Sequence, residues 1–252
     1  MLEVADLTVR FGGITALDGV GFSVARGEMV GLIGPNGAGK TTLFNCLTRR
    51  YDADEGTAGY EDIDLLRAAP HAIAALGIAR TFQNLGLFPA LSVRDNVLVG
   101  AHHQGRAGFL GAGLWLPNVR REEARLRAAA DAVLDRLELT KVADHPAAGL
   151  PFGTLKRVEL ARALAVEPRL LLLDEPVNGL SSGEVEEFAA LVREIRQDLD
   201  ITVVVVEHHM GFVMSICDRV VCLDFGRKIA EGSPDEVQRD PAVIEAYLGT
   251  AA

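Results

Sequence analysis

Cysteine, tryptophan and tyrosine are scarce in this chain: three, one and three among 252 residues. Cys46, Cys217 and Cys222 are odd in number and lack metal-ligand spacing, which argues against a disulfide scaffold or a zinc site and leaves reduced core thiols. No apolar run approaches the ~20 residues that a membrane-spanning helix needs. The nearest, Ala107 to Val119, is short, Gly-rich and begins beside Arg106. The opening Met1-Leu2-Glu3-Val4-Ala5-Asp6 has neither the basic nor the apolar region of a secretory signal. Internal repeats, low-complexity linkers and charged tails are missing too. Basic side chains are outnumbered 25 to 35, and a formal net charge of −10 argues against nucleic acid as the main partner. What is present is an ordinary globular balance, 49% apolar and 24% charged. The expectation is a soluble, intracellular protein with enough length to bury a large core.

Strand-like and helix-like segments alternate along most of the chain. Glu28 to Ile33 reads as a short strand entering a Gly-rich turn, with a helix following over Lys40 to Arg50. Leu170 to Leu173 is a continuous apolar run, as expected of a strand buried on both faces, and Ile201 to Val206 is rich in β-branched residues. Between them Val185, Phe188, Val192, Ile195 and Leu199 recur at helical spacing. Strand, long crossover helix and strand imply parallel pairing, hence an α/β fold. Two regions depart from the alternation. Leu2 to Arg10 and Thr15 to Val24 flank Gly12-Gly13 and predict an antiparallel hairpin. Residues 83 to 167 are mainly helical in pattern, with Leu126, Val133, Leu134 and Leu137 on one stripe, and Pro151 and Gly153 just before a helix holding Val158, Ala161 and Leu164.

Gly34-Pro35-Asn36-Gly37-Ala38-Gly39-Lys40-Thr41 fits GxxxxGK[ST], between a predicted strand and a predicted helix. Glycines let successive N–H groups converge on phosphate oxygens, and the helix N-terminus favours an anion. Lys40 then reaches the β- and γ-phosphates while the Thr41 hydroxyl ligates Mg²⁺, so the chain binds a nucleoside triphosphate. The leucine run ends in Asp174-Glu175-Pro176 at the carboxyl end of its strand, where parallel sheets place ligands. Asp174 suits Mg²⁺ there. A second carboxylate, Glu175, can orient a water and accept its proton, which favours hydrolysis over group transfer.

These residues, in this order, resemble an ATP-binding-cassette (ABC) ATPase, and the resemblance covers essentially the whole chain. It implies a P-loop NTPase fold with an N-terminal antiparallel β subdomain, a mainly parallel core sheet and an inserted helical subdomain. The nucleotide-binding core takes 1–82 and 168–252, and about 83–167 forms the helical part. Arg80-Thr81-Phe82-Gln83 looks like the family's Q-loop, which assigns Gln83 to Mg²⁺ or the attacking water. Val206-Glu207-His208-His209 is similar to its switch segment and assigns His208 to the γ-phosphate; His209 is the alternative neighbour. Phe11 matches the aromatic that stacks on adenine, and Gly34, Asn36, Gly37, Ala38, Gly39, Lys40, Thr41 and Thr42 form the nucleotide loop. Leu150-Pro151-Phe152-Gly153-Thr154 stands where the family has LSGGQ. Pro151 replaces the serine that would bond the γ-phosphate across a dimer, Phe152 replaces a glycine and Thr154 the glutamine. Gly153 and the helix N-terminus remain for backbone donation. Asn178-Gly179-Leu180-Ser181 looks like the D-loop, with Ser181 where Asp or Asn is common.

A proline and an aromatic in the signature are similar to the branch serving branched-chain (hydrophobic) amino-acid uptake. So are Arg80-Thr81-Phe82-Gln83-Asn84, the run Asn96 to His102, and the ending from Gly232-Ser233-Pro234 through Ala246-Tyr247-Leu248-Gly249. The resemblance then implies ATP and Mg²⁺ as cofactors, and integral-membrane permease subunits and a second cassette as partners. It places the chain at the cytoplasmic face of the inner membrane, with no nucleic-acid role. Urea-uptake and lipopolysaccharide-export ATPases are close relatives of that branch, and the altered signature leaves open an ATP-gated module with weak hydrolysis. Trp115, within Phe109 to Leu116, is a candidate partner contact or an ordinary packed loop residue.

Overall fold

The computed structural model describes residues 1–82, 85–102 and 117–248. The chain divides into two compact units, residues 1–80 with 169–252, and residues 81–168. In the first unit, β1 (Leu2–Phe11) and β2 (Ile14–Val24) pair antiparallel as the sequence predicts, and β4 (Glu55–Tyr60) and β5 (Ile63–Asp64) extend that sheet in the order β2-β1-β4-β5. A second sheet runs β10 (Arg227–Gly232), β9 (Arg219–Asp224), β3 (Met29–Ile33), β8 (Thr202–Val206), β7 (Leu170–Asp174) and β6 (Ile78–Arg80). All of its pairings are parallel except β9 with β10.

Every residue of β3, β7 and β8 is buried, which explains the apolar runs Leu170–Leu173 and Val203–Val206 within them. The helix α1 (Lys40–Leu47) follows β3, and it stops before Arg50 because Arg49 turns into the left-handed region at φ 58°. In the second unit, α2 (Val93–Ala101), α3 (Pro117–Arg136) and α4 (Phe152–Leu164) pack together, with Val97, Leu134, Val158, Leu160 and Leu164 on them buried. The helix α4 begins earlier than its sequence suggests: Pro151 caps it and Gly153 lies inside its first turn. Back in the first unit, α5 (Ser182–Leu199) buries Val185, Phe188, Val192 and Ile195, but Leu199 is 41% exposed, because the helix ends there and Asp200 adopts φ 49°. Three helices, α6 (Met210–Ile216), α7 (Pro234–Arg239) and α8 (Pro241–Leu248), complete the unit. The stretch Phe109–Leu116 with Trp115 lies outside the described residues, and among those described no helix is long and apolar enough to cross a membrane.

The sheet brings α8 back to β3: the Gly34 N–H donates to the Tyr247 hydroxyl at 2.9 Å, across 213 residues of sequence. Tyr247→Phe leaves that amide without its acceptor and should lower the unfolding free energy by about 1–3 kcal/mol in a urea titration. All three cysteines are free and buried, and burial pushes their thiols up, Cys46 to about 11 and Cys217 and Cys222 to about 12. The folded protein at pH 8 should therefore resist a thiol-exchange reagent, and three thiols should react once guanidinium unfolds it.

Candidate functional site

The phosphate loop forms as its composition dictates. Gly34 has φ 144°, and a Cβ there would lie 2.1 Å from the Leu223 carbonyl oxygen; Gly39, at φ 101°, would meet the Ala16 oxygen at 2.6 Å. No other residue fits either position. The loop is tied to itself and to the β9–β10 turn by Ala38 N–H to Pro35 O (3.2 Å) and Gly226 N–H to Ala38 O (3.1 Å). Lys40 is 7% exposed, and its Nζ donates to Gly34 O at 2.6 Å and Pro35 O at 3.0 Å. Burial holds its ammonium below the ordinary lysine value, opposed by the neighbouring Glu175 carboxylate and by Asp174 and Glu207. Asn36, Gly37 and Thr41 face solvent, while Ala38 is buried and Thr42 half-buried.

Asp174 closes β7 at 2% exposure and accepts from Arg80 Nη2 at 2.7 Å. Glu175 follows with φ 47°, a strained conformation for a residue with a side chain, fixed by its own N–H to Val206 O at 2.9 Å. Its Oε2 accepts from Asn178 Nδ2 at 3.3 Å, and its Oε1 lies 4.0 Å from His208 Nδ1. His208 is half exposed. His209 is committed elsewhere, since it caps α6 and its Nδ1 accepts from Phe212 N–H at 3.2 Å. Phe11 is 46% exposed at the end of β1, edge-on to Tyr51 with ring centroids 5.2 Å apart. The first unit thus carries Phe11, the loop, Asp174, Glu175 and His208, with Lys40 in the field of both carboxylates.

Gly153 belongs to the second unit, and Gln83 lies outside the described residues. The residues flanking 83 and 84 are both anchored to α4: Phe82 N–H donates to Glu159 at 2.6 Å, and Arg162 Nη2 to Leu85 O at 2.9 Å. Sequence reasoning missed three residues here: Arg80, Glu207 and Tyr247. Glu207 is fully buried and accepts from Val177, His208 and His209 N–H groups at 3.1, 2.8 and 3.0 Å. A charged residue directly after a five-residue buried strand was the available signal.

Thr41 and Asp174 offer hard oxygen donors, which suit Mg²⁺. Among the described residues no group of three His, Cys, Asp or Glu could hold a metal by itself. That set fits an ion that shares its coordination with phosphate oxygens.

Comparison with known proteins identifies the family. The family model described as ABC transporter matches residues 17–178, and the one described as branched-chain amino acid ATP-binding cassette transporter matches 227–252. The chain is 40% identical, over 100% of its own length and 98% of the relative's, to the high-affinity branched-chain amino acid transport ATP-binding protein BraF of Pseudomonas aeruginosa. Among solved structures, the ADP conformation of an ATP-binding cassette of an ABC transporter matches with a TM-score of 0.85 and 32% identity, covering 99% of this chain and 98% of that one. A dimeric post-hydrolysis cassette bound to ADP and Pi matches at 0.77 and 26%, over 93% and 99%. A family model that spans more than half of the chain and a relative 40% identical along its whole length show that the chain belongs to the ABC transporter family as an ATP-binding cassette.

Proposed function

We propose that this chain is the ATP-hydrolysing subunit that powers import of branched-chain or other hydrophobic amino acids. The observation that carries the hydrolytic part is the placement of Glu175 beside Asp174, within 4.0 Å of His208. The full-length similarity to BraF supports the cargo. In this reading Gly34, Asn36, Gly37, Ala38, Gly39 and Thr42 cradle the phosphates with backbone and hydroxyl donors, Lys40 adds charge, and Phe11 stacks on the base. Thr41, Gln83 and Asp174 hold Mg²⁺, which would neutralise charge on the phosphate oxygens. Glu175 orients the attacking water and accepts its proton, with Asn178 Nδ2 donating to its carboxylate. His208 steadies the γ-phosphate.

The site is completed by a second cassette, whose Gly153 segment would supply backbone donors. Two closed cassettes pass their motion to integral-membrane permease subunits at the cytoplasmic face of the inner membrane. Closure is a two-state change that ATP binding drives and hydrolysis reverses. The signature helix starts with no side-chain cap at Pro151, so the free N–H groups of its first turn are among the donors this segment would offer an anion.

Mg·ATP turnover measured against protein concentration tests this. Turnover should rise faster than linearly, and Glu175→Gln should lower it by about 100-fold or more while still dimerising with ATP. If the wild type binds ATP yet neither hydrolyses nor dimerises, even with membrane subunits present, the chain is an ATP-gated binding module instead.

A further inference from the structure

We infer that Arg80 is a positioning residue for the metal site: its guanidinium fixes the Asp174 carboxylate relative to Thr41 and so sets the affinity for a divalent cation bound with nucleotide. The inference rests on Asp174 being the metal carboxylate, as proposed above.

Arg80 is the last residue of β6, and its side chain is 7% exposed. Nη2 donates to Asp174 Oδ2 at 2.7 Å. Nη1 donates to Asn45 Oδ1 at 2.7 Å and to Thr48 Oγ1 at 3.2 Å, and the cation lies 5.4 Å from the Phe44 ring centroid. Asn45 sits four positions after Thr41 on α1 and Thr48, the residue that caps the helix C-terminus, seven positions after it, so the three lie along one face. One planar fork therefore joins the helix that carries the Thr41 hydroxyl to the strand that carries the Asp174 carboxylate. Those are the two oxygen donors that the first unit assigns to Mg²⁺.

A carboxylate 2% exposed needs compensation, and the guanidinium supplies charge and direction together. A lysine ammonium brings the charge without the planar fork, so it cannot hold three oxygens in that geometry. Arg80 cannot itself ligate a cation. It acts through Asp174, as groups behind a metal ligand do when they fix its orientation.

The test uses the full-length protein with Mn²⁺ as the metal and ADP as the nucleotide. Electron paramagnetic resonance reads free Mn²⁺, and a fluorescent ADP analogue reads nucleotide affinity with and without chelator. Arg80→Gln should weaken Mn²⁺ binding to the ADP-bound protein by about 10–100-fold and leave ADP affinity in chelator unchanged. Arg80→Lys should recover part of the loss. Asn45→Ala keeps the ion pair and removes one anchor, so it should show a smaller weakening in the same direction even if Arg80→Gln fails to fold. Unchanged or tighter Mn²⁺ binding in Arg80→Gln overturns the inference, the tighter result showing that Arg80 competes with the cation. Equal losses with and without metal also overturn it, as the mark of a merely structural role. If ADP affinity of the wild type ignores Mn²⁺ altogether, it is the metal assignment of Asp174 that fails, and this inference with it.

Discussion

Burial of the central sheet on both faces is the constraint on which the rest of the first unit depends. No residue of β3, β7 or β8 reaches solvent, so a polar side chain along them would have to find a partner inside the protein. Chemistry is pushed to the carboxyl ends, where the chain leaves the sheet. Register then does the assembling: Leu32 of β3 lies opposite Val206 of β8, and Val206 lies opposite Asp174 of β7. The phosphate loop, the Asp174-Glu175 pair and the Glu207-His208 pair therefore emerge side by side. Their proximity is a property of three aligned strands, and the side chains need only be polar at the right end.

Glu207 shows how such an end is stabilised. A fully buried carboxylate is tolerable only when its oxygens are occupied, and here three backbone N–H groups do so. Those amides belong to two different loops, one after Glu175 and one leading into α6. Glu207 thereby splices the turn that carries the proposed base to the turn that carries His208. The strained φ of Glu175 persists because its neighbours over-determine it: Val206 O receives its N–H, and Glu207 holds Val177 two residues on.

Much of this was legible in the sequence for one reason, locality. The phosphate loop is eight consecutive residues, and Asp174-Glu175 is a dipeptide that ends an apolar run, so each carries its own context. Arg80 with Asp174, Glu207 with Val177, and Gly34 with Tyr247 are separated by 94, 30 and 213 positions. No spacing rule reaches across such distances, because the folded register creates the contact. Periodicity also overran at helix ends. Leu199 keeps the helical repeat yet is exposed, and the pattern through Arg50 continues three residues past Leu47: Asp200 is of a type that enters the left-handed region readily but the repeat masks it, and Arg49 announces its turn by no residue type. A backbone role also separates His208 from His209, and it supports the proposed reading: the His209 ring accepts the Phe212 amide at Nδ1.

Lys40 joins these threads. Its ammonium is drawn inward by the glycine loop, where Gly34 O and Pro35 O accept from it, so the lysine braces the loop that positions it. Burial disfavours its charge, and the Glu175 carboxylate works in the opposite direction. An ammonium held in that balance gains from exchanging neutral carbonyl acceptors for anionic oxygens, because charge-assisted hydrogen bonds are about twice as strong as neutral ones. A neutral ligand offers no such gain and still has to break the brace. In the proposed reading, the preference for a phosphate chain thus lies less in the number of donors than in a buried cation whose present acceptors are only dipoles.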